Sequence, residues 1–104
     1  MQKVMLICNA GMSSSVMAKK TTQYLQEKGH EIHMDSTTAA TGDKPFTTDE
    51  YDLILISPQI RMRFDEFKAK AEKNNKKIAQ VGFDAYAPIP TGIEKMANIV
   101  LENI

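Results

Sequence analysis

Hydrophobic and polar positions along this chain predict four β-strands, each followed by a connecting segment. Lys3–Cys8 and Asp52–Ser57 contain uninterrupted apolar runs, which are typical of strands covered on both faces. Glu31–Ser36 instead alternates apolar with polar residues, and the apolar positions of Lys77–Gly82 are interrupted by Gln80. We therefore expect the first and third strands at the centre of a sheet and the second and fourth at its edges.

Helical periodicity predicts a helix after the first, the third and the fourth strand. Ser13–Lys28 carries an apolar stripe, and Gly29 supplies a left-handed stop after it. A second helix is predicted from Pro58 to about residue 74, with Ser57 as its N-cap and Pro58 in its first turn. The last helix is predicted to begin at the capping-box pattern Thr91-Gly92-Ile93-Glu94.

The segment Thr37–Tyr51 is rich in Thr, Gly and Asp and has to connect two parallel strands. Such a connection commonly contains a helix. We expect at most a short helix around Thr47–Tyr51, with Phe46 as its packing anchor.

Short right-handed crossovers and the burial pattern together predict an α/β fold with the strand order 2-1-3-4. This is an open four-stranded parallel sheet with helices on both faces, a three-layer, flavodoxin-like arrangement. Ligands of such sheets bind beyond the carboxyl ends of the strands, where the strand order reverses. We therefore expect Cys8 and Ser57-Pro58-Gln59 to meet between strands one and three, with the loop Phe83–Pro88 at the same edge.

Composition limits the classes of function. A chain of 104 residues with 42% hydrophobic and 25% charged residues is predicted to form a single globular domain over residues 1–104. Lys plus Arg and Asp plus Glu both total 13, which argues against a general nucleic-acid or membrane-surface binder. One cysteine excludes an internal disulfide, and the first apolar run is too short for a signal peptide or membrane span. We expect a cytoplasmic protein.

The candidate chemistry lies in the loop after the first strand, which reads Cys8-Asn9-Ala10-Gly11-Met12-Ser13-Ser14-Ser15. Small residues allow several backbone N–H groups to point at one anion, and a following helix adds its positive N-terminal end. Both features favour a thiolate and a phosphoryl group bound to it. Alternatively, Cys8 is a small buried hydrophobe and the serines are helix caps. The Met12 side chain is either tucked under the loop or exposed, and we favour its contact with a partner protein.

No other group of residues offers comparable chemistry. His30 and His33 have no Cys or Asp spacing that completes a metal site, so we expect no metal, and we expect no other cofactor. Arg61 is predicted to lie on a solvated helix face, where contact with a phosphorylated partner is the alternative.

The Cys8–Ser15 loop, together with Ser57-Pro58-Gln59-Ile60-Arg61, resembles the IIB components of the lactose/cellobiose family of the phosphoenolpyruvate-dependent sugar phosphotransferase system. The resemblance implies that Cys8 accepts a phosphoryl group from a phosphohistidine of the IIA protein. It implies transfer to a sugar, such as cellobiose, chitobiose or lactose, held by the membrane IIC protein. Asn9–Ser15 would hold the phosphate, and the Pro58-Gln59 turn and Tyr86 would lie close to it. With Arg61, these residues are the predicted contacts at the edge of the site or with a partner.

Two other classes share parts of this pattern. A low-molecular-weight tyrosine phosphatase has the same sheet order and a C-x5-R loop, but here Ser14 occupies the arginine position, so the charged clamp on phosphate is missing. Arsenate reductases of this shape need further cysteines, which the sequence does not contain. A non-enzymatic module that binds a phosphorylated ligand remains the third interpretation.

Overall fold

One open parallel sheet with the strand order β2-β1-β3-β4 forms the centre of the molecule, as the burial pattern predicts. The computed structural model describes residues 2–8, 11–39 and 44–104, with residues 11–14 described by their backbone. The strands are β1 (Gln2–Cys8), β2 (Ile32–Thr38), β3 (Leu53–Ile56) and β4 (Lys77–Gln80). The α-helices are α1 (Gly11–Glu27), α2 (Lys44–Thr47), α3 (Phe64–Lys73) and α4 (Pro90–Asn103).

Burial explains why β1 and β3 are central. Every residue of β3 is buried, and so are the last five residues of β1, whereas β4 has none that is fully buried. The two central strands pair in parallel, with Val4 opposite Leu53 and Ile7 opposite Ile56. Continuous apolar runs therefore occupy the positions where both faces of the sheet are covered.

Helices cover both faces, which confirms the predicted three layers. On one face, Leu6 and Leu55 belong to a buried cluster that includes Met17 of α1 and Met96 of α4. On the opposite face, a second buried cluster is formed by residues of the central strands, of helices α2 and α3, and of the segment between β3 and α3. Its members are Met5, Ile7, Phe46, Ile54, Ile56, Ile60, Phe67 and Ala71. No helix in the described ranges is long and apolar enough to cross a membrane.

The segment after β3 differs from the single helix predicted for it. Pro58–Arg63 is a 3₁₀ segment, and α3 starts only at Phe64. Ile60 breaks the helical conformation with φ −119° and ψ 26°, and its side chain is buried. Packing of this side chain against the sheet thus coincides with the break in the helix. Ser57 occupies the N-cap position, but its side chain makes no capping hydrogen bond in the described structure.

Helix termini were otherwise predicted with mixed success. Gly29 adopts φ 87°, which confirms the left-handed stop after α1. The capping-box prediction for α4 is wrong, because the helix already starts at Pro90, and Ile89 holds the N-cap position. Proline is well suited to a first helical position because its fixed φ matches the helix. The predicted helix at Thr47–Tyr51 lies earlier, at Lys44–Thr47, although its expected anchor Phe46 is fully buried.

A glycine is required at position 92 because α4 and the loop that follows β4 approach each other closely there. A Cβ added at Gly92 would lie 2.3 Å from the backbone oxygen of Ala87. The Gly92→Ala variant should therefore lose roughly 1 to 3 kcal/mol of unfolding free energy, although alanine ordinarily favours a helix. Urea denaturation of the purified variant measures this loss.

Gly82→Ala is the matched control for the same loop. Its added Cβ would lie 2.7 Å from a carboxylate oxygen of Asp84, the movable end of a flexible and exposed side chain. We expect a much smaller loss than for Gly92→Ala. A Gly92→Ala protein as stable as the original chain would contradict the proposed backbone clash.

Candidate functional site

Cys8 ends a central strand, between two neighbouring strands that also end there. On one side it pairs with Thr38 of β2. On the other side, the backbone N–H of Ser57 donates a 2.9 Å hydrogen bond to the carbonyl oxygen of Ile7, which continues the β1–β3 ladder beyond Ile56. The structure therefore brings Cys8 and the Ser57-Pro58 turn together, at the point where the strand order reverses.

The Cys8 side chain is fully buried, with 0% of its surface exposed. Because side chains alternate along a strand, Cys8 shares the sheet face of Val4 and Leu6, which is the face covered by α1 and α4. Burial by itself would suit a small hydrophobe equally well. The position of the thiol at the strand end, rather than its exposure, is what marks it as a functional candidate.

Helix α1 begins at Gly11, three residues after Cys8 and two residues earlier than predicted. It extends over 17 residues, so its positive N-terminal end lies immediately after the cysteine in the chain. Ser13, Ser14 and Ser15 consequently lie within the first turns of the helix rather than before it.

Several predicted phosphate-binding residues fall outside what the structure describes. Asn9 and Ala10 lie outside the described residues, and so do the side chains of Met12, Ser13 and Ser14. Ser15 is exposed on α1. Their predicted role in holding a phosphate thus stays a prediction.

The loops after β3 and β4 meet through a cation–π contact. The guanidinium of Arg61 lies over the ring of Phe83, 5.4 Å from the ring centroid. Both residues are exposed, and Gln59 is exposed as well, whereas Pro58 is buried. Tyr86 is partly buried and packs on the face of the sheet that also carries Cys8. Arg61, one of the predicted contact residues after β3, therefore contacts the loop after β4 directly.

Two exposed apolar side chains in these loops were not identified from the sequence. Met62 is 83% exposed and Phe83 is 63% exposed. The apolar stripe of the helix predicted from Pro58 includes Ile60 and Phe64, and it places Met62 on the outer face of that helix. The sequence signal for this surface is limited to an arginine and two large apolar residues in the two loops. Its significance is evident only when the structure shows that the loops meet.

A separate polar cluster lies on the edge strand β2. Asp35 accepts a hydrogen bond from Tyr51 Oη at 3.2 Å and pairs with His33 Nε2 at 2.7 Å. Asp35 and Tyr51 border a cleft of about 350 Å³ whose other lining residues include Lys44 and Glu50. Asp35 pairs with Met5 in the sheet, so it lies on the face opposite Cys8. No group of three metal-ligating side chains was found in the described ranges.

This polar cluster raises the pH at which one tyrosine ionises. Burial and the charges of Asp35 and Glu50 raise the pKa of Tyr51 from 10.0 to about 12. Because the folded-state pKa is the higher one, the protonated phenol stabilises the fold below pH 10, and this contribution is lost as the pH rises towards 12. Titration of the tyrosinate absorbance should show one late transition that Tyr51→Phe removes.

Tyr24→Phe provides the control for this titration. It also removes one of the three tyrosines, but the late transition should remain. Circular dichroism recorded on the same samples verifies that the chain is folded where the transition occurs. A wild-type titration curve with no component above the ordinary range would contradict the raised pKa.

A protein-family model matches nearly the whole chain. Residues 3–98 match the model described as "PTS system, Lactose/Cellobiose specific IIB subunit". Among curated proteins, the chain is similar to the PTS system oligo-beta-mannoside-specific EIIB component of Bacillus subtilis (strain 168). The two are 30% identical over 88 residues, which cover 83% of this chain and 82% of the relative.

Solved structures with the same fold carry related descriptions. The lactose-specific IIB component domain from Streptococcus pneumoniae superposes with a TM-score of 0.82 at 23% identity, over 97% of this chain and 95% of that chain. A cellobiose-specific phosphotransferase IIB component from Borrelia burgdorferi gives a TM-score of 0.72 at 19% identity, over 97% and 89%. At these identities, the two structures confirm the flavodoxin-like fold.

Proposed function

The chain belongs to the lactose/cellobiose-specific IIB subunits of the phosphoenolpyruvate-dependent sugar phosphotransferase system, and we propose that it is a cytoplasmic phosphocarrier with Cys8 as the carrier residue. The observation that carries this proposal is the position of Cys8. It lies at the carboxyl end of β1, where the strand order reverses, and α1 begins three residues later.

Phosphoryl transfer through Cys8 takes two steps. In the first, the thiolate sulfur attacks the phosphorus of a phosphohistidine on the IIA protein. The S–P bond forms as the N–P bond breaks, and the electron pair returns to the imidazole nitrogen. In the second step, a sugar hydroxyl held by the IIC protein attacks the phosphorus, the S–P bond breaks, and the sulfur leaves as a thiolate while the hydroxyl proton is released.

The positive end of α1 supports both charged states of Cys8. A helix N-terminus favours a thiolate and also a phosphoryl group that carries about −1.5 to −2 charges. Backbone N–H groups and side chains of the loop after β1 and the start of α1 would hold the phosphoryl oxygens. The residues are Asn9, Ala10, Gly11, Met12, Ser13, Ser14 and Ser15. Because Ser14 replaces the arginine of the phosphatase pattern, the proposed site lacks a bidentate clamp that stabilises the charge developing during hydrolysis.

Access to the sulfur is a requirement of this mechanism. Cys8 is 0% exposed, so the side chains around it have to move before a phosphohistidine or a sugar can reach the sulfur. Loop motions that open and close a site are common in enzymes that exclude water from a reactive group. A covered phosphocysteine would also be protected from hydrolysis between the two transfers.

The IIA protein is proposed to dock on the loops after β3 and β4. Arg61 brings a positive charge to this surface, which complements an incoming phosphohistidine. The exposed side chains of Met62 and Phe83 supply apolar contact area beside it. The exposed Gln59 and the partly buried Tyr86 are proposed to complete the contact surface, whereas the predicted contact of Pro58 is not expected because that residue is buried. Membrane association would be indirect, through the IIC protein, and no nucleic acid is involved.

The proposed acceptor is a β-linked disaccharide. The relatives are described as specific for oligo-beta-mannoside, lactose and cellobiose, which share a β-glycosidic linkage. We propose that the sugar pocket itself belongs to the IIC protein, so that this chain contributes the phosphoryl group.

Transfer from phosphoenolpyruvate tests the proposed function. The purified chain is mixed with phosphoenolpyruvate, the general phosphotransferase proteins and its cognate IIA protein. We expect one added phosphoryl mass, located on Cys8 by peptide mass spectrometry at neutral or alkaline pH. A chain that remains unmodified beside a demonstrably active IIA protein would refute the proposal.

A second assay separates the phosphocarrier from the phosphatase alternative. The chain alone is incubated with an aryl phosphate, and release of the phenol is followed. We expect no turnover beyond a single equivalent, because the loop has no arginine clamp. Sustained turnover that requires Cys8 would favour the phosphatase interpretation.

A further inference from the structure

Ser57 is a buried hydroxyl residue that the structure leaves unexplained. It is 0% exposed, and its Oγ has no hydrogen-bond partner among the described residues. It occupies the N-cap position of the 3₁₀ segment without making the capping hydrogen bond there. A buried hydroxyl without a partner is unfavourable, so an additional acceptor that is not yet bound would account for it.

The register of the sheet places Ser57 beside Cys8. The last paired residues of the two central strands are Ile7 and Ile56, and both Cys8 and Ser57 follow by one position. The 2.9 Å bond from the Ser57 N–H to the Ile7 carbonyl shows that the strands are still adjacent at this point. Neighbouring strands lie about 4.8 Å apart.

Both side chains lie on the same face of the sheet. Leu6 and Leu55, two positions before Cys8 and Ser57, belong to the same buried cluster under α1 and α4. Side chains two positions apart on a strand share a face. A group attached to the Cys8 sulfur would therefore lie next to the Ser57 hydroxyl.

We propose that Ser57 Oγ–H donates a hydrogen bond to a non-bridging oxygen of the phosphoryl group on Cys8. This inference rests on the proposed function of Cys8. It adds a strand-β3 hydroxyl to the phosphoryl site, whose predicted members all lie on the loop after β1 and in α1. The hydroxyl acquires its acceptor only in the phosphorylated state, which explains why it has no partner among the described residues in the thiol state.

The consequence is a selective stabilisation of phosphocysteine. Hydrogen bonds to charged acceptors are stronger than those between neutral groups. Removing the hydroxyl should therefore shift the equilibrium between phosphorylated IIA protein and this chain by about tenfold towards phosphorylated IIA. The unphosphorylated chain should be as stable as before or slightly more stable, because the variant loses a buried hydroxyl without a partner.

Ser57→Ala measures this shift. The variant and the wild-type chain are equilibrated with phosphorylated cognate IIA protein, and the phosphorylated fraction of each protein is determined by mass spectrometry of the intact chains. Ser57→Thr keeps the hydroxyl and should restore most of the phosphorylated fraction. Thermal unfolding of the unphosphorylated proteins verifies that each variant is folded, and Ser57→Gly replaces Ser57→Ala if the latter is not.

Thr21 offers a matched control. Its hydroxyl is also fully buried and also lacks a partner among the described residues, but it lies in the middle of α1. Thr21→Val should leave the phosphorylation equilibrium unchanged. The same shift in Thr21→Val and Ser57→Ala would assign the effect to general packing and overturn the inference.

The remaining outcomes separate this inference from the proposed function. Phosphorylation of Cys8 in the wild-type chain with an unchanged equilibrium in Ser57→Ala would overturn the role of Ser57 and leave the phosphocarrier intact. Failure of the wild-type chain to accept a phosphoryl group from an active IIA protein would overturn both.

Discussion

Replacing Cys8 with serine is expected to abolish phosphorylation by the cognate IIA protein. A serine hydroxyl is a weak nucleophile at neutral pH unless a neighbouring base activates it, whereas cysteine sulfur is intrinsically a strong nucleophile. We expect the initial rate of phosphoryl uptake to fall by about 10² or more. Intact-protein mass spectrometry after incubation with phosphorylated IIA protein measures the loss.

The control for this prediction addresses the burial of Cys8. Because the side chain is 0% exposed, a serine there places one more hydroxyl in the interior, at a cost of about 1 to 3 kcal/mol. Cys8→Ala avoids that cost and should be equally inactive while remaining folded by circular dichroism. Undiminished phosphorylation of both variants at another residue would exclude Cys8 as the carrier.

The same variants test the third interpretation. A module that only binds a phosphorylated ligand would keep its affinity in Cys8→Ala, because no bond to sulfur would be formed. A phosphocarrier loses its entire transfer activity in that variant. Sugar phosphorylation reconstituted with the IIC protein in membrane vesicles therefore distinguishes the two classes.

Replacing Phe46 with alanine is expected to produce the largest loss of stability. Phe46 is 0% exposed and stacks on Phe67, with ring centroids 5.8 Å apart and an interplanar angle of 10°. Removal of a fully buried phenylalanine costs about 3 to 5 kcal/mol. This is a large part of the 5 to 15 kcal/mol, roughly, by which an ordinary domain is stable. Chemical denaturation, analysed as a two-state transition, measures the loss.

Phe83→Ala is the matched control, because Phe83 is 63% exposed. Its removal should change the unfolding free energy by no more than about 0.5 kcal/mol, as is usual for surface positions. It should nevertheless weaken phosphoryl transfer from the IIA protein if these loops form the docking surface. A loss of unfolding free energy in Phe46→Ala as small as that in Phe83→Ala would show that α2 is not anchored through Phe46.

The arrangement of the sheet could be predicted because it follows from local patterns. Apolar runs at Lys3–Cys8 and Asp52–Ser57 can be buried only where both faces of a sheet are covered, which leaves the edges to the other two strands. Together with the short connections, this restricts the strand order to 2-1-3-4. The position of Cys8 at the reversal of that order follows directly.

Helix boundaries depended on tertiary contacts instead. The periodicity from Pro58 onwards is compatible with one continuous helix, but burial of Ile60 accompanies a break there, and α3 begins only at Phe64. The pattern Thr91–Glu94 matches a capping box with Thr91 as N-cap, yet the N-cap of α4 lies two residues earlier, at Ile89, and a Cβ at Gly92 would clash with Ala87. Local preferences are worth about 1 kcal/mol, and packing against the sheet outweighs them.

The sequence by itself thus determined the strand order, the central position of β1 and the candidate thiol at its end. These features depend on which residues have to leave water, and that information is contained in the order of apolar and polar residues. Only the tertiary structure decided that the Ser57 side chain is buried and makes no capping hydrogen bond with the described residues, and that Arg61 lies over Phe83. Contacts between residues distant in the chain depend on how the elements pack in three dimensions, and no local pattern specifies them.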